Sequence, residues 1–242
     1  MRETLAPLLN KLNQLEPLAQ EDRDAFLALP FRLKEVEAGQ VILDEGSDTP
    51  SCIELLAGFT YRHRTLRNGA RQIISVHIPD DFPDLQSGLL GTAIHTLQML
   101  TPGRLALFRA EDLQRLVFER PAIRNALWRE TLIDISICGE WVINVGRRDA
   151  RGRIAHLLCE FAMRLRSAGL LEGDSYELPM TQDQIADAIG LTAVHVNRTL
   201  QEMRRSGLIY TERGIVKVTN WMGLAALGDF NPQYLPIEPD RG

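Results

Sequence analysis

Apolar residues recur at helical spacing near both ends of the chain. Four leucines predict a helix within residues 1–29: Leu8, Leu12, Leu15 and Leu18. A further helix is predicted from Arg151 to Ala168, because its apolar residues fall on one helical face. That face consists of Ile154, Leu157, Leu158, Phe161 and Leu165.

A long helix is predicted between these two. Pro121 suits the first turn of a helix, and the helical pattern continues to about Gly146. Its apolar positions alternate in steps of four and three: Trp128, Leu132, Ile135, Gly139 and Val142. This spacing is typical of a short coiled-coil seam, and the buried face of an ordinary amphipathic helix would show much the same pattern.

The pattern between Phe31 and Phe108 is different. Short apolar runs are separated by turn residues, which predicts several strands in a small antiparallel roll or barrel. The runs are Gln40–Leu43, Cys52–Leu56, Phe59–His63, Gln72–Ile78 and Thr96–Leu100. The pair Asn68-Gly69 stands between two of them and predicts a hairpin turn.

Residues 178–209 predict two short helices joined by a tight turn. Thr181 and Gln184 have the spacing of a capping box at the first helix, and Thr192 is a candidate cap for the second. Gly190 permits the sharp turn between them, and a buried stripe follows: Val196, Leu200 and Met203. The pattern is typical of a helix-turn-helix, whose second helix enters the DNA major groove; the alternative is an ordinary helical hairpin.

A strand pair is predicted after this motif. Leu208–Thr211 and Ile215–Thr219 flank the turn residues Glu212-Arg213-Gly214 and would form a wing. The Pro-containing tail after Asp229 is expected to be loosely ordered.

Composition narrows the class of protein. The chain is 45% apolar and 24% charged, as ordinary globular proteins are. No apolar run has the length of a membrane span and no secretion signal precedes the first helix, so we expect a cytoplasmic protein without a membrane partner. The cysteines Cys52, Cys138 and Cys159 are odd in number and lack metal-ligand spacing.

The formal net charge of −5 by itself argues against a DNA-binding protein. The charge is uneven, however, because the second helix of the motif carries Arg198, Arg204 and Arg205 against Glu202 alone. A locally basic face can bind phosphates on an acidic protein.

The chain resembles the Crp/Fnr superfamily of bacterial transcription regulators. The resemblance rests on Ala38–Phe82 in the roll and on Leu178–Ile209 in the helix-turn-helix. It implies an α+β fold with an antiparallel β-roll as sensor domain (residues 1–120), a long dimerisation helix and hinge (121–147) and a winged helix-turn-helix (148–242). It also implies a homodimer that binds a two-fold symmetric operator in double-stranded DNA, with RNA polymerase as a further partner.

The chain departs from the superfamily in the roll. Cyclic-AMP-binding members carry a Gly-Glu pair and a downstream Arg, whereas here Pro83-Asp84 and the segment Ala93–His95 occupy those places. An acidic residue without a cation would repel a cyclic phosphate, so we expect that cyclic AMP does not bind. The effector, if one exists, is unidentified, and its pocket is assigned to Asp84, Leu85, Ser87 and His95.

Cofactors known in the superfamily also lack their ligands here. An iron–sulfur cluster needs four cysteines, and Gln86 stands near the place of a haem-binding histidine. We therefore expect neither a metal nor a cofactor.

The second helix of the motif offers several candidates for base recognition. Arg198 is expected to read a guanine, Asn197 an adenine, and Val194 a thymine methyl group. His195 and Thr192 would meet phosphate or base, next to Ala193. Further candidate DNA contacts stand at other helix ends. Thr181 and Gln182 lie at the start of the first helix, and Arg204 and Arg205 at the end of the second are either phosphate contacts or a charge pair that complements the helix dipole.

A regulator that is not an enzyme is therefore the leading hypothesis. The chain has no Gly-rich phosphate loop, nucleophile elbow or HExxH motif. Two alternatives stay open: a module that binds a cyclic nucleotide or another small molecule for signalling without recognising DNA, and an enzyme with an unfamiliar site in the roll.

Overall fold

The computed structural model describes residues 3–171 and 173–236. These residues form two compact units, residues 3–67 with 75–135 and residues 68–74 with 136–236. Within the described ranges no helix combines the length and the apolarity that crossing a membrane requires.

Two helices open the first unit, in the stretch that the sequence predicts to be helical. A short 3-10 helix, Glu3–Leu5, leads into α1, Ala6–Leu15, and α2 follows at Gln20–Leu27. The helical prediction for residues 1–29 is confirmed for most of the described residues, and Pro17 divides the stretch into two helices. The residue before a proline disfavours the helical conformation, and Glu16 is extended, with φ −148° and ψ 128°. Residues 1 and 2 lie outside the described residues.

Seven strands build the roll. They are β1, Phe31–Val36; β2, Val41–Leu43; β3, Ser51–Ala57; β4, Thr60–Thr65; β5, Arg71–His77; β6, Thr96–Met99; and β7, Gly103–Arg109. They form two sheets, ordered β1-β7-β3 and β2-β6-β4-β5. Each of the five predicted runs overlaps one of these strands. The sequence pattern does not predict β1 and β7, which pair with each other.

The predicted hairpin turn joins β4 to its neighbour β5. Gly69 has φ +84°, in the region that favours glycine, and the Asn68 side chain accepts a hydrogen bond from the Ala70 N–H at 3.0 Å. The Asn-Gly signal is therefore confirmed.

Helices cover one side of the β1-β7-β3 sheet. After β5 come α3, Leu85–Leu90; α4, Ala110–Glu119; and α5, Pro121–Arg147, which ends one residue beyond its expected end. The buried Phe108 of β7 lies at the centre of an aromatic cluster, with ring centroids 5.8 Å from Phe26, 5.4 Å from Phe31 and 6.2 Å from Phe82. Helices α1 and α2 pack on the sheet around this cluster.

One lysine joins three separate segments of the first unit. Lys11 Nζ lies 2.7 Å from Asp81 Oδ1 and 2.8 Å from Glu130 Oε1, and donates to the Asp80 carbonyl at 3.0 Å. Burial lowers the pKa of Lys11, but the carboxylates of Asp81 and Glu130 outweigh it and hold the pKa above its usual range. Burial, with Asp80 and Glu130 nearby, raises the pKa of Glu54 to about 9.

The second unit contains the predicted motif. Its elements after α5 are α6, Ala150–Ser167; β8, Ser175–Glu177; α7, Gln182–Ile189; α8, Ala193–Arg205; β9, Ile209–Glu212; β10, Ile215–Val218; and α9, Trp221–Gly228. The predicted hairpin is confirmed as β9 and β10, and β8 adds a third strand in the order β8-β10-β9. The five expected apolar residues of α6 are buried.

The tail is ordered further than the sequence predicts. A short 3-10 helix, Pro232–Tyr234, follows α9, and Leu235 is buried. Tyr234 Oη donates to Glu160 Oε2 at 2.8 Å, and Trp141 Nε1 donates to Glu160 Oε1 at 3.0 Å. The expectation of a loose tail is therefore wrong for residues 230–236, because the tail supplies a donor to a buried carboxylate; residues 237–242 lie outside the described residues.

Lys11→Met tests the lysine junction. We expect the free energy of unfolding in urea to fall by about 2 kcal/mol, because two carboxylates lose their cation and stay largely out of water. The control is Arg109→Met, which removes an exposed ion pair with Glu111 and should change the value by no more than about 0.5 kcal/mol. Equal losses in the two variants would contradict this role of Lys11.

Candidate functional site

The first helix of the motif begins with a complete capping box. Thr181 Oγ1 accepts from the Gln184 N–H at 3.2 Å, and Gln184 Oε1 accepts from the Thr181 N–H at 2.8 Å. Two free backbone donors are thereby satisfied, which fixes where α7 begins. The helix ends at Ile189, and Gly190 follows with φ +66°, so the predicted cap and the predicted turn are both confirmed.

Three residues separate the end of the first helix from the start of the second. Thr192 Oγ1 accepts from the His195 N–H at 3.3 Å, as a cap of α8. The predicted apolar stripe of α8 is buried: Val196, Leu200 and Met203. Because this stripe packs inward, the opposite side of the helix remains exposed.

The exposed side of α8 carries the predicted recognition residues. Val194 is 81% exposed, which is unusual for an apolar side chain, and Arg198 is also exposed. Within the described part of the chain, no hydrogen bond or ion pair holds the Arg198 guanidinium. Asn197 is half-buried, and its Oδ1 accepts from Gln201 Nε2 at 3.0 Å. Arg198 and Val194 therefore remain available for contact with a ligand.

The other predicted contact residues occupy helix ends. Thr181 and Gln182 are exposed at the start of α7, Thr192 is exposed before α8, and Ala193 and His195 are half-buried in its first turn. Their side chains or backbone N–H groups stand at the positive ends of the two helices, where anions bind favourably.

Arg204 has a contact that the sequence does not predict. It lies in the last turn of α8, and its guanidinium donates to Thr211 Oγ1 on β9. This bond ties the recognition helix to the wing. The wing also presents Arg213 and Lys217, both exposed, near the turn at Gly214.

The effector pocket assigned from the sequence lies in the roll. Asp84, Leu85 and Ser87 are buried and His95 is half-buried. Burial raises the pKa of Asp84 to about 6, while the Ser87 hydroxyl and the Arg62 guanidinium oppose the shift. Burial lowers the pKa of His95, and Arg62 lowers it further.

Arg62 is a residue that the sequence analysis missed. It is buried on β4, where Nε donates to Ser75 Oγ at 2.7 Å and Nη2 lies 2.6 Å from Asp134 Oδ2 on α5. Ser75 Oγ is in turn 2.9 Å from His77 Nε2. Arg62 nevertheless acts electrostatically on the Asp84 carboxyl, and the sequence does not predict this cation because it comes from a different strand.

The described residues offer little to a metal or a redox reaction. Among residues 3–171 and 173–236, no group of three or more His, Cys, Asp or Glu side chains is arranged to hold a metal ion. The three cysteines are free thiols. Burial raises the pKa of Cys52 and of Cys159 to about 12, so both are protonated at neutral pH and are poor nucleophiles.

Known proteins similar to this chain are transcription regulators. A family model described as a Crp-like helix-turn-helix domain matches residues 152–227. The transcriptional activator protein FnrL of Cereibacter sphaeroides is 27% identical over 212 residues, which cover 84% of this chain and 84% of that protein. The nitrogen fixation regulation protein FixK of Bradyrhizobium diazoefficiens is 27% identical over 192 residues, covering 78% of this chain and 79% of that protein.

Solved structures agree on the fold. FixK2 from Bradyrhizobium japonicum has a TM-score of 0.75 at 22% identity, over 82% of this chain and 98% of that chain. A regulator of the Crp/Fnr family from Thermus thermophilus has a TM-score of 0.64 at 19% identity, over 82% of this chain and 99% of that chain. The structures show the fold, and the family model and the relatives support a regulator of the Crp/Fnr type with a Crp-like helix-turn-helix domain at residues 152–227.

Proposed function

We propose that this chain is a sequence-specific, DNA-binding transcription regulator that acts as a homodimer on a two-fold symmetric operator. The observation that carries the proposal is the exposed side of α8. Val194 and Arg198 stand on it without an intramolecular role in the described residues, while caps and a buried stripe fix the helix behind them. An exposed apolar residue beside an unpaired arginine suits a base-reading surface.

Each side chain on this surface has a matching partner in the major groove. Arg198 would donate two hydrogen bonds to guanine O6 and N7, and Val194 would contact a thymine methyl group. Asn197 would pair with adenine, since its amide presents both a donor and an acceptor. Thr181 and Gln182 at the start of α7 would bind phosphate and set the register of the protein on the duplex.

The remaining contacts would come from the ends of α8. Thr192, Ala193 and His195 lie at its beginning, and Arg204 lies at its end beside the wing. Arg204 would meet a phosphate with the guanidinium hydrogens that Thr211 does not use. Local basic charge at α8 and the wing supports this on a protein whose net charge is −5.

The long helix supports a homodimer. Its predicted seam is exposed throughout, with Trp128 66%, Leu132 56%, Ile135 60% and Val142 69% exposed. An apolar stripe of this length on one helix is unfavourable in water and is covered when two copies pair. A dimer also places two recognition helices on paired half-sites.

The roll would serve as the sensor. Asp84, Leu85, Ser87 and His95 would line its effector site, and Arg62 is the cation that acts on Asp84 and His95. Arg62 is already satisfied by Asp134 and Ser75, so a cyclic phosphate would have to displace an ion pair at 2.6 Å. We therefore propose that cyclic AMP is not the effector.

The same reasoning bears on a further protein partner, on the compartment, and on the two alternative functions. Several relatives are named activators, so RNA polymerase is a further proposed partner, and the cytoplasm is the compartment that holds the operator. A signalling module without DNA recognition would have no use for the exposed side of α8. For the enzyme alternative, the thiols of Cys52 and Cys159 offer no nucleophile at neutral pH, because burial raises the pKa of each.

Selection from randomised duplexes, followed by fluorescence anisotropy at two salt concentrations, tests the proposal. We expect a two-fold symmetric site to be enriched without added ligand. Binding that is weak, unselective and strongly salt-dependent would contradict it, because phosphate contacts alone behave in this way.

Arg198→Ala should weaken binding to the selected operator by about 1–3 kcal/mol, the value of one bidentate base contact. Affinity for a scrambled duplex should stay the same. Arg151→Ala serves as the control, because this exposed arginine lies on α6 and is not among the proposed DNA contacts. Equal weakening on both duplexes in Arg198→Ala would make this residue a phosphate contact instead.

Ile135→Glu should convert the dimer to a monomer in sedimentation-velocity experiments, because it places a charge in the apolar seam. Operator affinity should fall with it. Ile135→Leu keeps the seam apolar and should remain a dimer. A glutamate variant that sediments as a dimer would show that the two copies meet elsewhere.

A large excess of cyclic AMP should leave operator affinity unchanged, since Asp134 and Ser75 already satisfy Arg62. The same anisotropy titration measures this. An increase in affinity that disappears in Arg62→Met would overturn the expectation.

A further inference from the structure

We infer that Arg153 is a positioning residue for the recognition helix, because its guanidinium joins the hinge, here the link Arg148-Asp149 between α5 and α6, to the turn of the helix-turn-helix. The inference rests on the proposed function, in which α8 reads DNA. It adds a residue that touches no DNA and acts through the backbone of the motif.

The contacts of Arg153 lie on two separate segments. The residue stands in the first turn of α6, half-buried. Its Nε donates to the Arg148 carbonyl at 2.9 Å, in the hinge. Its Nη1 donates to the Ile189 carbonyl at 2.9 Å and is 3.4 Å from the Gly190 carbonyl, at the turn between α7 and α8.

The carbonyls of Ile189 and Gly190 need a hydrogen-bond donor from outside the helix. Ile189 ends α7, and the last carbonyls of a helix have no donor within it. The partial negative charge at this helix end also favours a cation. Arg153 therefore satisfies two requirements of α7 at once and holds its C-terminal end in place.

The side chain of Arg148, the residue whose carbonyl Arg153 contacts, is itself held by two partners. Arg148 Nη2 lies 3.2 Å from Glu140 Oε2 on α5 and donates to the Asp229 carbonyl at 3.1 Å. Arg148 is thus fixed to the last turns of α5 and to the chain after α9. Arg153 therefore connects this fixed residue to the turn of the helix-turn-helix.

The position of the turn decides the position of α8. Only Leu191 and the cap Thr192 separate Gly190 from the first residue of α8. A shift of the turn therefore moves Val194 and Arg198 relative to the DNA. A misplacement of about 1 Å is enough to impair contacts that need defined geometry.

Arginine is the side chain that this link requires. Its rigid planar fork directs Nε and Nη1 to different acceptors, whereas the single ammonium of lysine cannot hold the same two directions. Arg153→Lys therefore keeps the charge and removes the geometry, and Arg153→Gln removes both.

The test uses the full chain, the selected operator and a scrambled duplex. We expect operator affinity about tenfold weaker in Arg153→Lys, as for the loss of one charge-assisted hydrogen bond, and weaker still in Arg153→Gln. Affinity for the scrambled duplex should stay within about twofold, because phosphate contacts tolerate small displacements. The matched control is Arg151→Gln, an exposed arginine on the same turn of α6, which should bind both duplexes as the unaltered chain does.

Hydrogen exchange gives a readout that a general loss of stability would not reproduce. The amides of residues 189–193 should exchange faster in Arg153→Lys, while the amides of α6 stay protected.

The outcomes separate this inference from the proposed function. If the unaltered chain shows no operator selectivity, the proposed function and this inference both fail. If the unaltered chain is selective and both Arg153 variants bind the operator as tightly as the unaltered chain does, only this inference fails. Equal loss on both duplexes, or faster exchange throughout α6, would make Arg153 a stability residue and overturn its positioning role. If Arg153→Gln does not fold, Arg153→Lys decides.

Discussion

Helix ends carry backbone groups without partners inside the helix, and the geometry of the second unit depends on how these groups are satisfied. Thr181 and Thr192 cap the beginnings of α7 and α8, and the Asp149 side chain accepts from the Gly152 N–H at the start of α6. Arg153 supplies donors at the opposite end of α7. Helices of 8 and 13 residues are marginal in isolation, so these bonds fix where each begins and ends.

The same requirement explains why the motif is predictable from sequence. A capping box spans four residues and a turn glycine one, so both are visible in a short stretch of sequence. The apolar stripe of α8 repeats with the helical period, and the structure buries it. The Asn68-Gly69 hairpin is equally local. Features whose partners are near in sequence were predicted with the correct bounds or within a few residues of them.

Features that depend on distant partners were missed. Arg62 and Asp134 are 72 residues apart and Lys11 and Glu130 are 119 apart, so no sequence window contains both members of either pair. The strand β1 lacks a clean alternation of buried and exposed residues, because its place is set by pairing with β7. The ordered tail depends on Glu160, which lies 74 residues before Tyr234. The sequence therefore does not predict contacts that tertiary structure sets between residues distant along the chain.

The Arg62–Asp134 pair has a consequence for how such a sequence can change over time. A buried guanidinium that loses its carboxylate is left with an uncompensated charge, whereas Asp134, whose side chain is 31% exposed, keeps part of its contact with water. The carboxylate therefore cannot be lost while the arginine stays without a loss of stability. Related sequences that keep an arginine at position 62 should keep a carboxylate at position 134, which makes the pair a marker of covariation that separates lineages sharing this sensor interior from those that have rebuilt it.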